Sequence, residues 1–332
     1  MGLTKSARFA GGIALAGLLP VAALVGSIAL SNGYSTPPTP PPPPAPVVTL
    51  PTQTASYLGL FEDGAPTSYQ PVGRFAKTTG RHPNIALYFS KWQQPFGTSF
   101  AQEAWANGAV VLVQMDPFTA RLSRIAAGKQ DFYLKDFANE VRAFRHPVII
   151  SFAHEMNGNW YPWGMGRAKP REFRRAWRHV VKVFRHYKAD NVTWLWTIHS
   201  IGANLTTMHH YWPGKKYVNW VGLDGYYAQP TDNFQYIFGT TLKVVRKITM
   251  DPVLISETAA GPLTNDQPGK IANLFRGIRS HHMLGMVWFD RHQNQGPHHQ
   301  DWRLEGNRPA IKAFVKATRS YGRREPDFKP AP

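Results

Sequence analysis

Eight short apolar runs recur along this chain, and they constrain its fold more than any other feature. They lack the strict alternation of polar and apolar residues that a half-exposed strand shows, which is typical of strands buried on both faces. Eight such strands, each followed by a helix or a long loop over about 265 residues, predict a single (β/α)8 TIM barrel of the α/β class. The runs cover residues 57–61, 85–89, 110–115, 148–153, 192–196, 220–224, 253–256 and 286–289.

Amphipathic stretches of helical period separate several of these runs and follow the last one. A doubly wound sheet is the competing fold, and it would place a glycine-rich phosphate loop after the first strand. The segment at 62–66 holds one glycine and lacks that fingerprint. We find no internal repeat, so we assign residues 57–320 to one catalytic domain. The predicted helices cover residues 132–145, 173–188, 234–248, 271–281 and 309–319.

Residues 1–31 have the pattern of a signal peptide or a membrane anchor. Lys5 and Arg8 precede an apolar run at 9–30. A basic segment followed by an apolar one is typical of a signal peptide, and this run is also long enough to span a bilayer. Residues 29–31 resemble a cleavage site, so cleavage and retention both stay open. In either case the chain should be secreted or tethered to the outer face of the cytoplasmic membrane.

A proline-rich segment follows, with eight prolines among residues 37–46. Such a run favours extended polyproline II, so residues 32–56 are predicted to be a disordered linker that holds the domain away from a surface. Residues 321–332 are predicted to be a flexible tail. The chain has no cysteine, which excludes disulfides, cysteine-ligated zinc and a lipid-modified cysteine anchor.

The net charge of +18 is partly concentrated between residues 167 and 188, where nine Lys and Arg residues face one acid, Glu172. Apolar residues recur there at helical spacing, which predicts an amphipathic helix with a basic outer face. Nucleic acid is the usual partner of such a stripe, but an exported protein does not meet it. We therefore expect a solvated face or weak association with anionic cell-wall polymers, and no nucleic-acid partner.

Active sites of such barrels lie at the carboxyl ends of the strands, so polar residues there are candidates. Glu155 and Glu257 stand out, because each ends a wholly apolar run, the fourth and the seventh. A carboxylate in that position is costly to bury unless it is partnered or used. A lone glutamate could cap a helix or pair with an arginine, but two favour function. The other candidates are Glu62, Asp63, Ser90, Trp92, Asp116, His154, His199, Ser200, Asp224, Tyr226, Tyr227, Asp290, Arg291 and His292.

A pair of carboxyl groups suits the hydrolysis of a glycosidic bond. The leaving oxygen needs a proton and the oxocarbenium-like centre needs a negative charge, so one carboxyl must be protonated and the other ionised. Proximity helps, because the charge of one carboxylate raises the pKa of the other. A separation of about 5–5.5 Å would imply a retaining, two-step mechanism.

Residues 154–164, HEMNGNWYPWG, resemble the acid/base segment of glycoside hydrolase family 26, which contains β-mannanases, mixed-linkage β-glucanases and β-1,3-xylanases. Residues 255–258, ISET, resemble the segment that carries its nucleophile, and residues 224–226 resemble its sixth-strand motif. Residues 302–304 with Asn307 are similar to the stretch before its last helix.

The resemblance implies that Glu155 is the general acid/base and Glu257 the nucleophile. It also implies that His154 hydrogen-bonds the sugar, that Tyr226 contacts the nucleophile and that Trp160 lines the cleft. Three further tryptophans are cleft candidates, each of which could instead be a core residue; they are Trp288, which would stack beneath the sugar before the cut, Trp92 and Trp163.

The predicted reaction is therefore cleavage of internal β-mannan linkages by a retaining mechanism, without a metal or other cofactor. The β-linked polysaccharide is the expected partner, and we expect a monomer. Mixed-linkage β-glucanase and β-xylanase activities are the alternatives within the family. A non-catalytic cell-wall carbohydrate-binding protein is the alternative outside it, although such a protein has no need of two glutamates.

A zinc hydrolase is disfavoured. His154 and Glu155 begin like the helical HExxH motif, but Gly158 stands where that motif has its second histidine. The remaining histidines are expected to lie in solvated loops; they form the pairs His209-His210, His281-His282 and His298-His299.

Overall fold

Eight parallel strands close into one barrel in the computed structural model, which describes residues 49–201, 205–293 and 300–321. Each strand pairs with its successor in the chain, and the last pairs with the first. Every predicted run forms one strand, so the predicted (β/α)8 TIM barrel is confirmed. The strands are β1 (Tyr57–Glu62), β2 (Ile85–Lys91), β3 (Val110–Asp116), β4 (Val148–Phe152), β5 (Val192–His199), β6 (Trp220–Asp224), β7 (Val253–Thr258) and β8 (Gly285–Asp290).

Helices connect the strands on the outside of the barrel. The five predicted helices form, and three further ones precede them. A π-helical turn at Gln235–Gly239 leads into α6. Within the described ranges the α-helices are α1 (Gln70–Thr79), α2 (Thr98–Ala106), α3 (Leu122–Ala126), α4 (Asp131–Phe144), α5 (Pro170–His186), α6 (Thr240–Ile248), α7 (Gln267–Ser280) and α8 (Arg308–Ala317).

The last two helices begin at side-chain caps. Asp266 accepts a hydrogen bond from the Gly269 amide (2.9 Å), and Asn307 accepts one from the Ala310 amide (3.1 Å). Each cap satisfies an amide that has no partner within the helix, and a proline lies in the first turn of both helices. The caps fix where α7 and α8 start relative to β7 and β8.

Consecutive side chains of a strand point to opposite sides of the barrel wall, and β8 shows this clearly. The ring of Phe289 stacks on that of Phe61 in β1, with centroids 4.7 Å apart. The preceding residue, Trp288, packs against Phe314 of α8, with centroids 5.5 Å apart. Both sides of the strand are therefore filled with aromatic rings, one inside the barrel and one beneath the helices.

Helix α5 is amphipathic, as predicted, with its apolar side buried against the barrel. Part of its basic side has a structural use. Arg178 Nε donates to the Pro213 carbonyl (2.6 Å), Arg185 donates to the Lys216 carbonyl (2.7 Å), and Arg174 donates to the His210 carbonyl. These guanidinium groups attach the segment after β5 to the helix, so the basic side is only partly a solvated face.

The packed body extends past the domain boundaries expected at residues 57 and 320. Leu50 is buried in the core, and the Tyr57 hydroxyl donates to the Pro51 carbonyl (2.8 Å). Tyr321 is fully buried against Phe275, with ring centroids 5.2 Å apart.

The predicted export segment, most of the linker and the rest of the tail lie outside the described residues. Among the residues that the structure describes, no helix is long and apolar enough to cross a membrane.

Candidate active site

Glu155 and Glu257 lie at the carboxyl ends of β4 and β7, and both side chains are buried. Ala153 and Glu155 each have a φ of 51°, a left-handed conformation that is costly for residues other than glycine. The Glu155 amide donates to the Thr197 carbonyl of β5 (3.1 Å), which holds this turn. The register of β7 shifts near Glu257, and such irregularities re-aim a side chain.

Both oxygens of Glu257 accept hydrogen bonds from neutral side chains. Gln114 Nε2 of β3 donates to one oxygen (2.6 Å), and the Tyr226 hydroxyl donates to the other (2.7 Å). Two donors and no acceptor favour the ionised carboxylate. The contact between Tyr226 and Glu257 agrees with the position that the resemblance implied for Tyr226.

Glu155 has two different partners. The Trp160 indole N–H donates to Oε2 (2.8 Å), and His199 Nδ1 lies 2.7 Å from Oε1. His199 is the last residue of β5, so the strand beside β4 delivers the imidazole to the carboxyl group. A carboxylic acid beside a neutral imidazole contains the same proton as a carboxylate beside an imidazolium. The pair can therefore hold one proton in either form.

His154 is fixed from both ring nitrogens. Its Nδ1 lies 2.8 Å from Asp116 Oδ1, and its Nε2 lies 3.0 Å from the Tyr161 hydroxyl. Burial alone would lower the pKa of His154. The Asp116 carboxylate and the charges of Glu257 and Glu155 outweigh this effect and raise the pKa to about 9. A protonated His154 brings a positive charge to the site and partly balances its carboxylates.

The two glutamates titrate differently in the free site. Burial raises the pKa of Glu257 to about 7; the positive charge of His154 lowers it, and the negative charge of Glu155 raises it. Burial alone would also raise the pKa of Glu155, but its hydrogen bond to His199 and the positive charge there hold it below its ordinary value. The charge of Glu155 thus acts on the pKa of Glu257, and His199, His154 and Trp160 together lower the pKa of Glu155.

A third carboxyl group, Asp224, is buried beside the pair. Burial raises its pKa well above the ordinary value, and the charges of Glu257 and Glu155 raise it further. The Ser256 hydroxyl donates to Asp224 Oδ1 (2.6 Å). Burial and the neighbouring carboxylates therefore favour the neutral form of Asp224.

The four predicted tryptophans divide into one open residue and three buried ones. Trp160 has 46% of its surface exposed and is available to a ligand. Trp92 is buried and donates to Gln130 Oε1 (2.9 Å), whereas Trp163 is buried and donates to the His154 carbonyl (2.6 Å). The expectation that Trp92 and Trp163 line the cleft is therefore wrong: both are buried, and Trp163 contacts the backbone of His154.

The expectation that Trp288 stacks beneath the sugar is also wrong. This residue is fully buried, its indole N–H donates to Asp290 Oδ1 (3.2 Å), and its ring packs on Phe314 outside the barrel wall. A side chain in that position cannot stack beneath a sugar. The next residue, Phe289, points inward and contacts the Tyr226 ring, with centroids 5.7 Å apart. The prediction was off by one residue, which in a strand exchanges the two sides.

Several contacts of the site were missed by sequence reasoning. His199 and Asp116 were among the polar residues at strand ends, but nothing in the sequence singled them out. Gln114 lies within β3, where an amide between apolar neighbours is itself a signal of a buried partner. Tyr161 lies within the motif that carries Glu155, yet its bond to His154 depends on loop conformation.

The described ranges contain no group of three or more His, Cys, Asp or Glu side chains that could hold a metal ion. Of the histidine pairs considered, His298-His299 lies outside those ranges.

A closed parallel barrel with two buried glutamates at the ends of β4 and β7 is the arrangement of a glycoside hydrolase. The family model described as Glycosyl hydrolase family 26 matches residues 89–297, a range that includes both glutamates. The chain belongs to this family.

The names of the similar proteins state different activities. Endoglucanase H of Acetivibrio thermocellus is 27% identical over 271 residues, which cover 76% of this chain and 29% of that protein. A mannan endo-1,4-beta-mannosidase of Bacillus subtilis is 31% identical over 112 residues, which cover 32% of this chain and 28% of that protein. The chain thus spans less than a third of either relative.

Solved structures share the fold at low sequence identity. A mannanase of Bacillus subtilis, man26, has a TM-score of 0.57 and 17% identity, over 73% of this chain and 81% of that one. GH26C from a Muricauda species has a TM-score of 0.63 and 16% identity, over 85% of this chain and 91% of that one.

Proposed function

We propose that this protein is a retaining glycoside hydrolase that cleaves internal linkages of β-mannan. The observation that carries the proposal is the different bonding of the two glutamates. Glu257 accepts from two neutral donors, Gln114 and Tyr226, as an ionised nucleophile should. Glu155 lies 2.7 Å from His199 Nδ1, a group that can exchange a proton with it.

In the first step the Glu257 carboxylate attacks the anomeric carbon, and Glu155 gives its proton to the leaving oxygen. The glycosidic bond breaks and a covalent glycosyl–Glu257 ester forms. In the second step the Glu155 carboxylate takes a proton from water. The resulting hydroxide oxygen bonds to the anomeric carbon, the ester bond breaks, and Glu257 leaves as a carboxylate. Two inversions at one carbon retain its configuration.

Substrate binding favours the proton form that this mechanism needs. A sugar that fills the site removes water, and a drier site disfavours the separated charges of a carboxylate and an imidazolium. The proton of the Glu155–His199 pair then resides on Glu155, beside a neutral imidazole.

The choice of β-mannan is supported by three of the similar proteins, whose names give mannan endo-1,4-beta-mannosidase activity. Endoglucanase H and the beta-1,3-xylanase TXYA of a Vibrio species support the alternatives, a mixed-linkage β-glucan and a β-xylan. Release of reducing sugar from mannan, glucomannan, lichenan, β-1,3-xylan and cellulose decides among them. Higher kcat/KM on lichenan or xylan than on mannan would contradict the proposal.

The stereochemistry is tested by proton NMR of the product during the first minutes of hydrolysis. A retaining enzyme releases the β-anomer first, and mutarotation then produces the α-anomer. Release of the α-anomer first would contradict a covalent intermediate and would indicate direct attack by water.

We also propose that the catalytic body works outside the cytoplasmic membrane, secreted or tethered by residues 1–31. The basic and apolar pattern of that segment supports the proposal. The N-terminus of the mature protein distinguishes the two forms, because cleavage would leave a chain starting near residue 32. A chain found in the cytoplasm with its N-terminus intact would contradict both.

A further inference from the structure

A cavity of about 650 Å³ is lined in part by Trp160, the residue whose indole N–H bonds to Glu155. Its walls come from the loops after β3 and β4, which both lie at the carboxyl end of the barrel. Trp160 and Tyr161 form an aromatic side, and Arg121, Arg167 and Glu172 supply the charges. A site for a neutral sugar needs hydroxyl-binding groups but has no need of two guanidinium groups.

Trp160 connects this cavity to the chemistry. Its indole N–H bonds to Glu155, which in the proposed function protonates the leaving oxygen, and nearly half of its surface is open. The cavity therefore adjoins the group that protonates the leaving oxygen in the proposed function. The exposed indole face can pack on a sugar ring there. This placement rests on the proposed function.

The charges of the cavity are unbalanced. In the described part of the chain neither Arg121 nor Arg167 forms an ion pair, and both are exposed to solvent. Glu172 is already engaged, because its Oε2 accepts from the Lys169 amide at the start of α5 (3.1 Å). On the same helix Arg178 shows the contrast, since its guanidinium is used on a backbone carbonyl.

We propose that this cavity binds a sugar unit that carries a carboxylate, on the leaving-group side of the cleavage point. A guanidinium group matches a carboxylate through two parallel N–H donors, and the adjacent indole packs on the ring that bears it. The substrate in this proposal is a β-linked polysaccharide with acidic units, of which neutral mannan is the uncharged counterpart. The two arginines then favour substrates with an acidic unit, whereas Glu155 and Glu257 cleave the bond.

The test uses manno-oligosaccharides of three to six units whose reducing end is converted either to an alditol or to an aldonate. Both ends are open chains, only the aldonate is charged, and the reducing end occupies the leaving-group side. In the unaltered protein we expect kcat/KM for the aldonate to exceed that for the alditol by about three- to tenfold at one or more lengths, since each exposed ion pair is worth a few tenths to 1 kcal/mol. The ratio should fall towards one in 0.5 M salt.

The double variant Arg121→Gln/Arg167→Gln should bring the aldonate-to-alditol ratio to about one. Arg276→Gln/Arg319→Gln removes two exposed guanidinium groups elsewhere and should keep the ratio unchanged. A ratio of one in the unaltered protein at every length, or an undiminished ratio in the double variant, overturns the inference.

Failure of the proposed function would look different, since the neutral alditols would not be cleaved either. Calorimetry on Glu155→Gln then measures the binding affinities of the aldonate and the alditol, and their ratio is compared. A preference for the aldonate in that variant supports the charged cavity independently of cleavage, and equal affinities overturn it.

Discussion

His199 Nδ1 lies 2.7 Å from Glu155 Oε1, so the carboxyl group assigned to proton transfer is bonded to an imidazole delivered by the neighbouring strand. Trp160 occupies the other oxygen with an indole N–H, which donates but cannot accept. In the proposed mechanism, His199 is therefore the side chain with which Glu155 can exchange its proton.

His199→Asn should lower kcat/KM on mannan by about tenfold or more, because Glu155 loses the group that supplies its proton; loss of a complete general acid costs about 10²–10⁴-fold. An aryl mannoside with a good leaving group needs little protonation, so its rate should change far less. Steady-state kinetics on both substrates measure the difference. Equal losses on the two substrates would show a merely structural role for His199.

Glu155 and Glu257 should be distinguishable by azide. In Glu257→Ala azide can attack in place of the carboxylate and should give a glycosyl azide of inverted configuration. In Glu155→Ala the covalent intermediate still forms from an aryl mannoside whose leaving group needs little protonation, and azide should then give a glycosyl azide of retained configuration. NMR of the products gives the configuration of each glycosyl azide. If the two configurations were interchanged, Glu155 would be the nucleophile and Glu257 the acid/base.

Tyr226→Phe should move the acidic limb of the pH profile of kcat/KM to higher pH. Burial already raises the pKa of Glu257 to about 7, and the Tyr226 hydroxyl lowers it by bonding to the carboxylate. Without that bond the pKa rises, and Glu257 becomes ionised only at higher pH. Tyr227→Phe is the matched control, since its hydroxyl contacts Asn273 and not the pair. An unmoved limb in Tyr226→Phe would contradict the prediction.

Glu62 and Asp290 should make the fold less stable as pH rises. Burial and the charge of Asp290 raise the pKa of Glu62 to about 9, and burial raises that of Asp290 to about 6. A pKa higher in the folded than in the unfolded chain means that stability is complete below about pH 4.5 and is lost as pH rises towards 9. Glu62→Gln should remove much of this loss.

At pH 8 Glu62→Gln should raise Tm by about 2–4 °C, the shift expected for about 1 kcal/mol in a domain of this size. Thermal unfolding followed by circular dichroism at pH 5 and pH 8 measures it, and the gain should be larger at pH 8. Asp63→Asn alters the adjacent, exposed carboxylate and should produce no comparable gain. A gain that is equal at both pH values would contradict the raised pKa of Glu62.

The barrel was predictable because strands buried on both faces are nearly continuous apolar runs. The same property hid the direction of each side chain: Trp288 and Phe289 are both apolar, and only the packed structure shows which one faces inward. Helix α1 was missed because Pro71 and Gly73 interrupt its pattern, and α3 because it has only five residues.

The two glutamates were predictable from strand ends, but most of their hydrogen-bond partners were not. Gln114 comes from β3 and reaches Glu257 across the barrel, a contact between residues 143 positions apart in sequence. His199 reaches Glu155 from an adjacent strand. Such contacts depend on barrel closure, which no local pattern records.

Arg81 follows α1, and its guanidinium donates to the backbone carbonyls of Thr318 and Tyr321. This contact joins the segment after α1 to the segment after α8, and Leu50, before β1, is buried in the core. A fragment trimmed to the strands and helices alone would lose the carbonyl partners of Arg81 and the buried Leu50, and it would expose apolar surface. Expression of a minimal catalytic fragment should therefore start before residue 50 and continue beyond residue 321.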